Sequence, residues 1–188
     1  MASTLKVNTI AHSGGTTAMT IDSSGFAKQA ALPCFQARGA DSSSSTKLDL
    51  TNNTWADVPY NTLNAASDVD NQYSGFNIGG HYDLSNYRFK PTLAGKWWLH
   101  AKGYFTYSSD APNTGFMRIW DGTNTHGNAY IRDASDGTYG TIEASGIFTM
   151  SGNGSDYLKI QVRASNSTDA DFYYGAYFGM FEGYYLGA

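Results

Sequence analysis

Alternation of apolar and polar side chains is the feature that most restricts the fold of this chain. In the segment 157–164 every second residue is apolar: Leu158, Ile160, Val162 and Ala164. Residues two apart on a strand share one face, so this segment predicts a half-buried β-strand. The segment 97–105 predicts another, with an inward face made of Trp97, Leu99, Ala101 and Phe105. No window repeats apolar residues at helical spacing over three turns, so the chain is predicted to be all-β.

Shorter alternating segments extend this pattern along the chain. Three further strands are predicted at 35–38, 116–120 and 147–150. Turns rich in glycine, asparagine, serine and aspartate are predicted at 121–122, 136–137 and 151–154. Many short strands separated by polar turns are typical of a β-sandwich or barrel.

The composition excludes several classes of function. The 188 residues carry a formal net charge of −4, and their Lys and Arg residues form no cluster. Phosphate neutralisation needs a concentrated basic patch, so we expect no nucleic-acid partner. Cys34 is the only cysteine and has no partner within the chain for a disulfide. No stretch approaches the roughly 18 apolar residues of a membrane helix, so we expect no membrane insertion.

Residues 1–32 differ from the rest and precede a main domain that we place at 33–188. Two short strands at 5–10 and 17–21 predict a β-hairpin, and an alanine-rich joint (27–32) follows them. A lone hairpin has too little apolar surface to be stable in water. We therefore expect this segment to dock onto its own domain, a sister subunit or a different protein.

The C-terminal segment 176–186 carries aromatic residues on both alternating faces. A strand that is apolar on both sides is usually covered on both sides, whereas one side would be wet in a single sandwich. We expect another copy of the chain to supply the cover, through a trimer interface formed by Tyr177, Phe181 and Tyr185. The opposite face of the same strand carries Phe178, Met180, Tyr184 and Leu186.

The N-terminal segment has a distinctive order of motifs. A strand (5–10), a Gly-Gly pair (14–15) and the run Met-Thr-Ile-Asp-Ser-Ser-Gly (19–25) follow one another. This order resembles the N-terminal segment of many phage tail-fibre and other virion appendage proteins. The resemblance implies a location on a virion, as a tail or capsid appendage, and attachment to other virion proteins. The implied attachment residues are Leu5, Val7, Ile10, Met19 and Ile21.

The remainder carries a second resemblance, in three blocks. The blocks are Pro-Cys-Phe-Gln-Ala at 33–37; the series 58–61, 76–83, 87–91 and 94–98, with its Gly-Gly-His-Tyr-Asp turn and Arg-Phe strand; and 154–158 with 178–186. They resemble the globular head of the first complement component and its tumour-necrosis-factor-like relatives. The resemblance implies a ten-strand jelly-roll sandwich that assembles as a homotrimer. No collagen-like Gly-X-Y stalk precedes the head, which disfavours the secreted animal version.

The motifs of common enzyme classes are missing from the sequence. The glycine-containing run 75–80 is not followed by Lys-Ser or Lys-Thr, and neither a His-x-x-x-His pair nor a Gly-x-Ser-x-Gly elbow occurs. We predict a protein that is not an enzyme, with no catalytic residues, no metal and no cofactor. The acidic segments 68–71 and 169–171 have two possible interpretations, a calcium-binding loop or a solvated turn. The glycine and terminal glutamate of an EF-hand loop are missing, which favours the turn.

Aromatic and polar residues near two turns are the candidate receptor-binding residues. They are Trp120, Asp121, Asn124, His126, Tyr130, Arg132 and Tyr139. Rigid amphipathic rings beside adaptable hydrogen-bonding groups suit recognition of glycans or proteins. The alternative is that Trp120 and Tyr130 cover the ends of the sandwich.

Together these patterns predict a trimeric phage fibre or knob whose jelly-roll head binds a glycan or protein of the host cell surface. A capsid fibre or decoration protein without an essential receptor role is the alternative. A carbohydrate-binding protein or glycan hydrolase is a third hypothesis, which predicts sugar binding or cleavage by the unattached chain.

Overall fold

A computed structural model describes residues 7–11, 13, 17–29, 32–40, 46–63, 75–107, 114–131, 140–165, 170–175 and 177–188. Every regular element in these ranges is a β-strand, which confirms the all-β prediction, and they contain no helix able to span a membrane. The strands are β1 (Thr9–Ala11), β2 (Thr17–Ile21), β3 (Ala27–Gln29), β4 (Cys34–Ala37), β5 (Lys47–Leu50), β6 (Ala56–Asp57), β7 (Phe76–Ile78), β8 (Tyr82–Asp83), β9 (Arg88–Phe89), β10 (Gly95–Tyr107), β11 (Thr114–Trp120), β12 (Thr125–Ile131), β13 (Gly140–Met150), β14 (Leu158–Ser165), β15 (Ala170–Tyr173) and β16 (Met180–Gly187).

The chain divides into two compact units, Met1–Leu32 and Pro33–Ala188. In the first unit, β1, β2 and β3 form a three-stranded antiparallel sheet. The turn before β3 is held by Asp22, whose Oδ1 accepts the backbone N–H groups of Ser24 (2.9 Å) and Phe26 (3.0 Å). The alanine-rich joint predicted from residue 27 is therefore wrong at its start, because pairing with β2 draws residues 27–29 into a third strand.

The second unit is a sandwich of two sheets. The seven-stranded sheet is built around β10. One edge of β10 pairs with β13, and its other edge pairs with β16 and then with β15. The sheet continues from β16 through β4 to β7, and from β15 to β5. In the six-stranded sheet the order is β12-β11-β14-β9-β8, with β6 also paired to β14. The predicted turns at 121–122 and 151–154 lie between β11 and β12 and between β13 and β14, whereas 136–137 lies outside the described residues.

The core lies between the inner faces of the two sheets, as the alternation predicts. The inward residues predicted for β10 are completely buried: Trp97, Leu99, Ala101 and Phe105. The inward set predicted for β14 is buried as well: Leu158, Ile160, Val162 and Ala164. The Phe35 ring of β4 stacks on Tyr82 (4.9 Å between centroids) and on Phe89 (5.2 Å), so aromatic packing joins the two sheets.

Candidate functional site

The structure separates the predicted receptor-binding residues into two places. Asp121, Asn124 and His126 line one cleft at an end of the sandwich. Trp120 and Tyr130 lie on the outer face of the six-stranded sheet, since they alternate with the inward Ile119 and with Ala129, which packs against the core. Arg132 and Tyr139 lie outside the described residues.

The turn between β11 and β12 forms one wall of the cleft. The Asp121 carboxylate accepts the backbone N–H groups of Thr123 (2.7 Å) and Asn124 (2.6 Å) through Oδ1. Gly122 has φ +101°, and a Cβ there would collide with the Tyr157 hydroxyl, so the turn requires glycine. The bond from the Asn124 N–H, followed by that from His126, holds the pKa of Asp121 far below its usual range. Asp121 is therefore an ionised acceptor that fixes the turn.

His126 projects from the start of β12 over the floor of the cleft. Its Nε2 lies 2.6 Å from Asp121 Oδ2. Because an ionised carboxylate only accepts hydrogen bonds, Nε2 carries the proton, and the Nδ1 side of the ring faces away from Asp121. The ring lies 6.1 Å from that of Phe148 at an interplanar angle of 85°, an edge-to-face contact. The imidazole is thus held in one orientation.

The connection between β13 and β14 forms the opposite wall. Asp156 Oδ2 accepts the Ser151 N–H (2.9 Å), and Asn153 Oδ1 accepts the Ser155 N–H (2.7 Å). The bonds from Ser151 lower the pKa of Asp156, so this carboxylate is also ionised at neutral pH. The Arg88 guanidinium lies 5.0 Å from the centre of the Tyr157 ring. This wall is as well ordered by its own hydrogen bonds as the first.

The cleft between these walls has a volume of about 540 Å³, within the usual range for small-ligand sites. Its floor is apolar, and both rims carry hydrogen-bonding groups. The residues that line it are Asp121, Thr123, Asn124, His126, Ile147, Phe148, Thr149, Met150, Ser155, Asp156, Tyr157 and Leu158. The sequence interpretation identified only the first wall, because the packing of the other connection against this turn joins segments far apart in the chain.

Hydrogen bonding and apolar contact are the chemistry that this cleft offers. Within the described ranges, no three metal-ligating side chains come together. Of the two acidic segments considered for calcium, 68–71 and the first residue of 169–171 lie outside the described residues. In the other segment, the Asp171 carboxylate accepts a hydrogen bond from Lys47 Nζ (2.7 Å). Its charge is therefore paired with a lysine.

The C-terminal strand β16 turns a different face outward from the one predicted as the trimer interface. Phe181 is completely buried in its own chain, 5.1 Å from the ring of Phe35, so its assignment to the interface is wrong. Tyr185 points to the same side and packs 5.2 Å from Trp97. Tyr177 precedes the strand and is 50% exposed. The physical reason is the phase of the alternation, which directs Phe181 and Tyr185 into the sandwich.

The outward phase of β16 contributes to an exposed apolar row across the seven-stranded sheet. Register aligns five outward side chains from five strands, namely Ile147, Trp98, Tyr184, Cys34 and Ile78. Ile147 is 63%, Ile78 42% and Tyr184 38% exposed, whereas Trp98 is partly exposed and Cys34 is buried. We call these five residues the apolar row.

A polar cluster lies beside the apolar row, one step along the strands. Glu182 is 8% exposed; its Oε1 lies 3.1 Å from His100 Nδ1, and its Oε2 accepts a hydrogen bond from Gln36 Nε2 (2.8 Å). Glu143 Oε2 lies 3.7 Å from His100 Nε2. The bond to Glu182 raises the pKa of His100. Burial opposes ionisation of Glu182, but the bonds from His100 and Gln36 outweigh it and lower its pKa.

The predicted attachment residues occupy the first compact unit. Ile10 (47% exposed) and Ile21 (36% exposed) lie on β1 and β2, and Met19 pairs with Ile10 across the two strands. Val7 precedes β1 and is partly buried, and Leu5 lies outside the described residues.

Comparison with known proteins shows similarity in structure alone. The sequence matches no known family profile and no curated protein. Crystal structures of murine APRIL at pH 8.0 and pH 5.0 align with TM-scores of 0.53 and 0.54 at 8% and 11% identity, covering 83% of this chain and 100% of theirs. Eiger TNF from S. frugiperda aligns with a TM-score of 0.48 at 10% identity, covering 83% of this chain and 93% of its own. The APRIL alignments confirm a TNF-like jelly-roll sandwich.

Proposed function

We propose that this protein is a homotrimeric appendage of a phage virion whose jelly-roll head binds a neutral saccharide of the host surface in the cleft. The observation that carries the ligand proposal is that the cleft brings the polar Asn124 and Asp156 together with His126, whose ring contacts that of Phe148 edge to face. A sugar ring has an apolar C–H face and a rim of hydroxyl groups, and the cleft offers an apolar floor with polar rims. The ionised Asp121 and Asp156 accept hydrogen bonds from hydroxyl groups and repel anions, so they favour a neutral sugar.

Binding to an array of neutral oligosaccharides of glucose, galactose, mannose and N-acetylglucosamine tests this proposal. We expect the full chain to bind at least one of them and Asn124→Ala to weaken that binding about three- to tenfold, the usual effect of one lost hydrogen bond. Asn128→Ala is the matched control, because Asn128 is exposed on the same hairpin but does not line the cleft. Equal losses in both variants, or no binding to any neutral saccharide, would refute the cleft as the site. Release of new reducing ends would favour the hydrolase hypothesis.

The homotrimer is implied by the resemblance of the chain to jelly-roll heads that assemble in threes. We propose that the copies contact one another through the apolar row. Exposed apolar side chains aligned on one sheet face are typical of interaction surfaces. Equivalent sites on three linked heads also raise avidity for a repeated surface glycan without new contacts at each site.

Light scattering of the full chain tests the trimer. We expect a mass near three times 20.4 kDa, and we expect Ile78→Glu, in the apolar row but outside the cleft, to reduce it, because the charge would have to be buried between copies. Tyr130→Glu is the control, since Tyr130 is 66% exposed on the opposite sheet. A monomeric wild-type chain would refute the trimer, and a mass that falls equally in both variants would refute the assignment of the apolar row.

Attachment to the virion is proposed for the first compact unit, on the basis of its resemblance to appendage N-terminal segments. Deleting residues 1–25 should leave a folded trimer, detected by light scattering and circular dichroism, that no longer associates with particles. A truncated chain that still joins the particles would refute the attachment proposal and leave the saccharide proposal unaffected.

A further inference from the structure

The outer face of the six-stranded sheet combines aromatic rings with cations. On β11, Phe116, Arg118 and Trp120 occupy every second position, and Arg163 and Lys159 of β14 lie directly opposite Phe116 and Trp120. The Trp55 ring, next to β6, lies 6.4 Å from Phe116 and completes the group. We call this set the cation–aromatic face: Trp55, Phe116, Arg118, Trp120, Lys159 and Arg163.

Each cation of this face rests on at least one ring. The Arg118 guanidinium lies 4.0 Å from the centre of Trp55 and 5.2 Å from Trp120. The Arg163 guanidinium lies 5.0 Å from the centre of the Trp55 ring and 4.6 Å from that of Phe116. The Lys159 ammonium lies 4.9 Å from the centre of the Trp120 ring. Such cation–π contacts hold the guanidinium groups in fixed positions before any ligand arrives.

The positive charge of this face is only partly compensated. Lys159 Nζ is paired with Asp57 Oδ2 (2.6 Å). Arg118 donates to neutral acceptors, Gln161 Oε1 (2.9 Å from Nε) and Thr125 Oγ1 (3.1 Å). Arg163 makes no ion pair with a described residue, and its buried Nε has no hydrogen-bond partner there. Burial, followed by the charge of Arg163, lowers the pKa of Arg118, and the nearby Asp57 carboxylate opposes this shift without reversing it.

We propose that the cation–aromatic face binds a carboxylated saccharide, with Arg118 and Arg163 taking the carboxylate groups and the rings taking the C–H faces of the sugars. Guanidinium groups recognise carboxylates through paired N–H donors, and Arg163 retains such donors. The partly exposed rings of Trp55, Phe116 and Trp120 supply apolar surface beside the cations. This second site does not depend on the cleft, whose ionised Asp121 and Asp156 disfavour an anion.

A saccharide fits this face better than an acidic peptide or a nucleic acid. β11 and β14, the strands that carry the two arginines, are each paired on both sides, so a peptide strand has no free backbone edge to add to beside Arg118 and Arg163. Nucleic-acid binding gains its strength from neutralising many phosphates, whereas this face has two arginines without an ion pair to a described residue, in a chain of net charge −4. A carboxylated sugar chain needs only sparse charges separated by apolar surface.

Binding of uronate oligomers by the full chain tests the proposal. The probes are oligogalacturonate, oligomannuronate and oligosialic acid, followed by biolayer interferometry in low salt. Methyl-esterified oligogalacturonate is the matched ligand control, because it keeps the sugar ring and removes the charge. We expect at least one acidic probe to bind, and the ester to bind at least about tenfold more weakly, since charge-assisted bonds are the stronger class.

Variants locate the site. Arg118→Gln and Arg163→Gln should each weaken acidic-probe binding about tenfold or more, and Arg163→Lys should lose an intermediate amount because it keeps the charge and loses the planar fork. Lys96→Gln, which removes one exposed positive charge on the other sheet, is the control and should bind as the wild type does. Thermal unfolding of every variant checks that it is folded.

Several results would overturn this proposal. One is the failure of all three acidic probes to bind, and another is equal binding of the methyl ester. A third is equal loss in Lys96→Gln and Arg163→Gln, which would mean that only net charge matters. Tighter binding of poly-glutamate or of single-stranded DNA would replace the saccharide with that class of ligand. Loss of acidic binding in Asn124→Ala would merge this site with the cleft.

Discussion

Replacement of Gly183 by alanine is predicted to destabilise the head, because the residue leaves room for two core side chains. Gly183 lies on the inward phase of β16, opposite Leu99 of β10 and Phe35 of β4. An added Cβ would lie 2.5 Å from Leu99 Cδ2 and closer still to Phe35 Cε1. Ordinary carbon contacts are about 3.5–4.0 Å, so both side chains would have to move by roughly 1 Å.

The magnitude follows from the packing of those neighbours. Phe35 and Leu99 are completely buried, so neither can move outward without displacing other core side chains. Overpacking of this kind costs about 1–3 kcal/mol, partly offset by about 0.4–1 kcal/mol from the smaller entropy of the unfolded alanine chain. We expect a net loss of about 1–2 kcal/mol in the free energy of unfolding, measured by urea denaturation with tryptophan fluorescence.

Gly127→Ala is the matched control for this prediction. Gly127 is also a strand glycine facing the core, but its added Cβ would meet the flexible end of Ile119 at 3.3 Å. We expect its stability to stay within about 0.5 kcal/mol of the wild type, the range of substitutions without a steric conflict. Equal stability of the two variants would show that the space above Gly183 is not required, and it would refute the packing argument.

Three further predictions concern hydrogen bonds. The pKa of His100 is raised in the folded state, so its bond to Glu182 stabilises the fold fully below about pH 6.5 and this contribution is lost as the pH rises through the raised value. The free energy of unfolding of the wild type should therefore fall from about pH 6 to about pH 9, and His100→Gln should flatten that decline. The lowered pKa of Glu182 places its own loss on the acid side, below about pH 4.5. Tyr82→Phe removes a buried donor to the Tyr60 carbonyl (2.9 Å) and should lower the unfolding free energy by about 1–2 kcal/mol in urea. Asp121→Ala removes the acceptor of two turn N–H groups; it should abolish saccharide binding in the cleft and lower stability by about 1 kcal/mol, measured on the array and in urea.

Strand existence was predictable from the sequence wherever one face is apolar and the other polar. The segments 97–105 and 157–164 alternate clearly, and their inward sets are the buried ones. Strand phase was not predictable at 176–186, because both alternating sets carry aromatic residues. In the structure, Gly183 fixes which alternating set of this strand points inward, since only a residue without a side chain fits between Phe35 and Leu99. Local hydrophobicity contains no information on that space.

Long-range pairing explains the other differences. Residues 27–29 read as a joint because Ala-Lys-Gln has no apolar alternation, yet pairing with β2 makes them a strand. The cleft was half predictable: the Asp-Gly turn and its polar neighbours mark one wall, whereas Asp156 and Tyr157 join it only through the packing of distant connections. Trp120 was predicted together with Asp121, but Trp120 is the last residue of β11 and lies on the outer face of the sheet, whereas Asp121 begins the turn that lines the cleft.

The two outer faces of the sandwich differ in how their charges are satisfied, and this difference bears on their roles. On the seven-stranded sheet the buried Glu182 is bonded by His100 and Gln36, beside the exposed apolar row. Such a surface can lose water without leaving these charges unpaired, as contact between copies requires. On the six-stranded sheet Arg118 and Arg163 are held on rings and make no ion pair with a described residue, because Asp57, the nearby carboxylate, is paired with Lys159; such a surface gains from meeting an anion. Assembly through the first face would leave the second directed outward, so loss of saccharide binding and loss of the trimer should be separable by mutation.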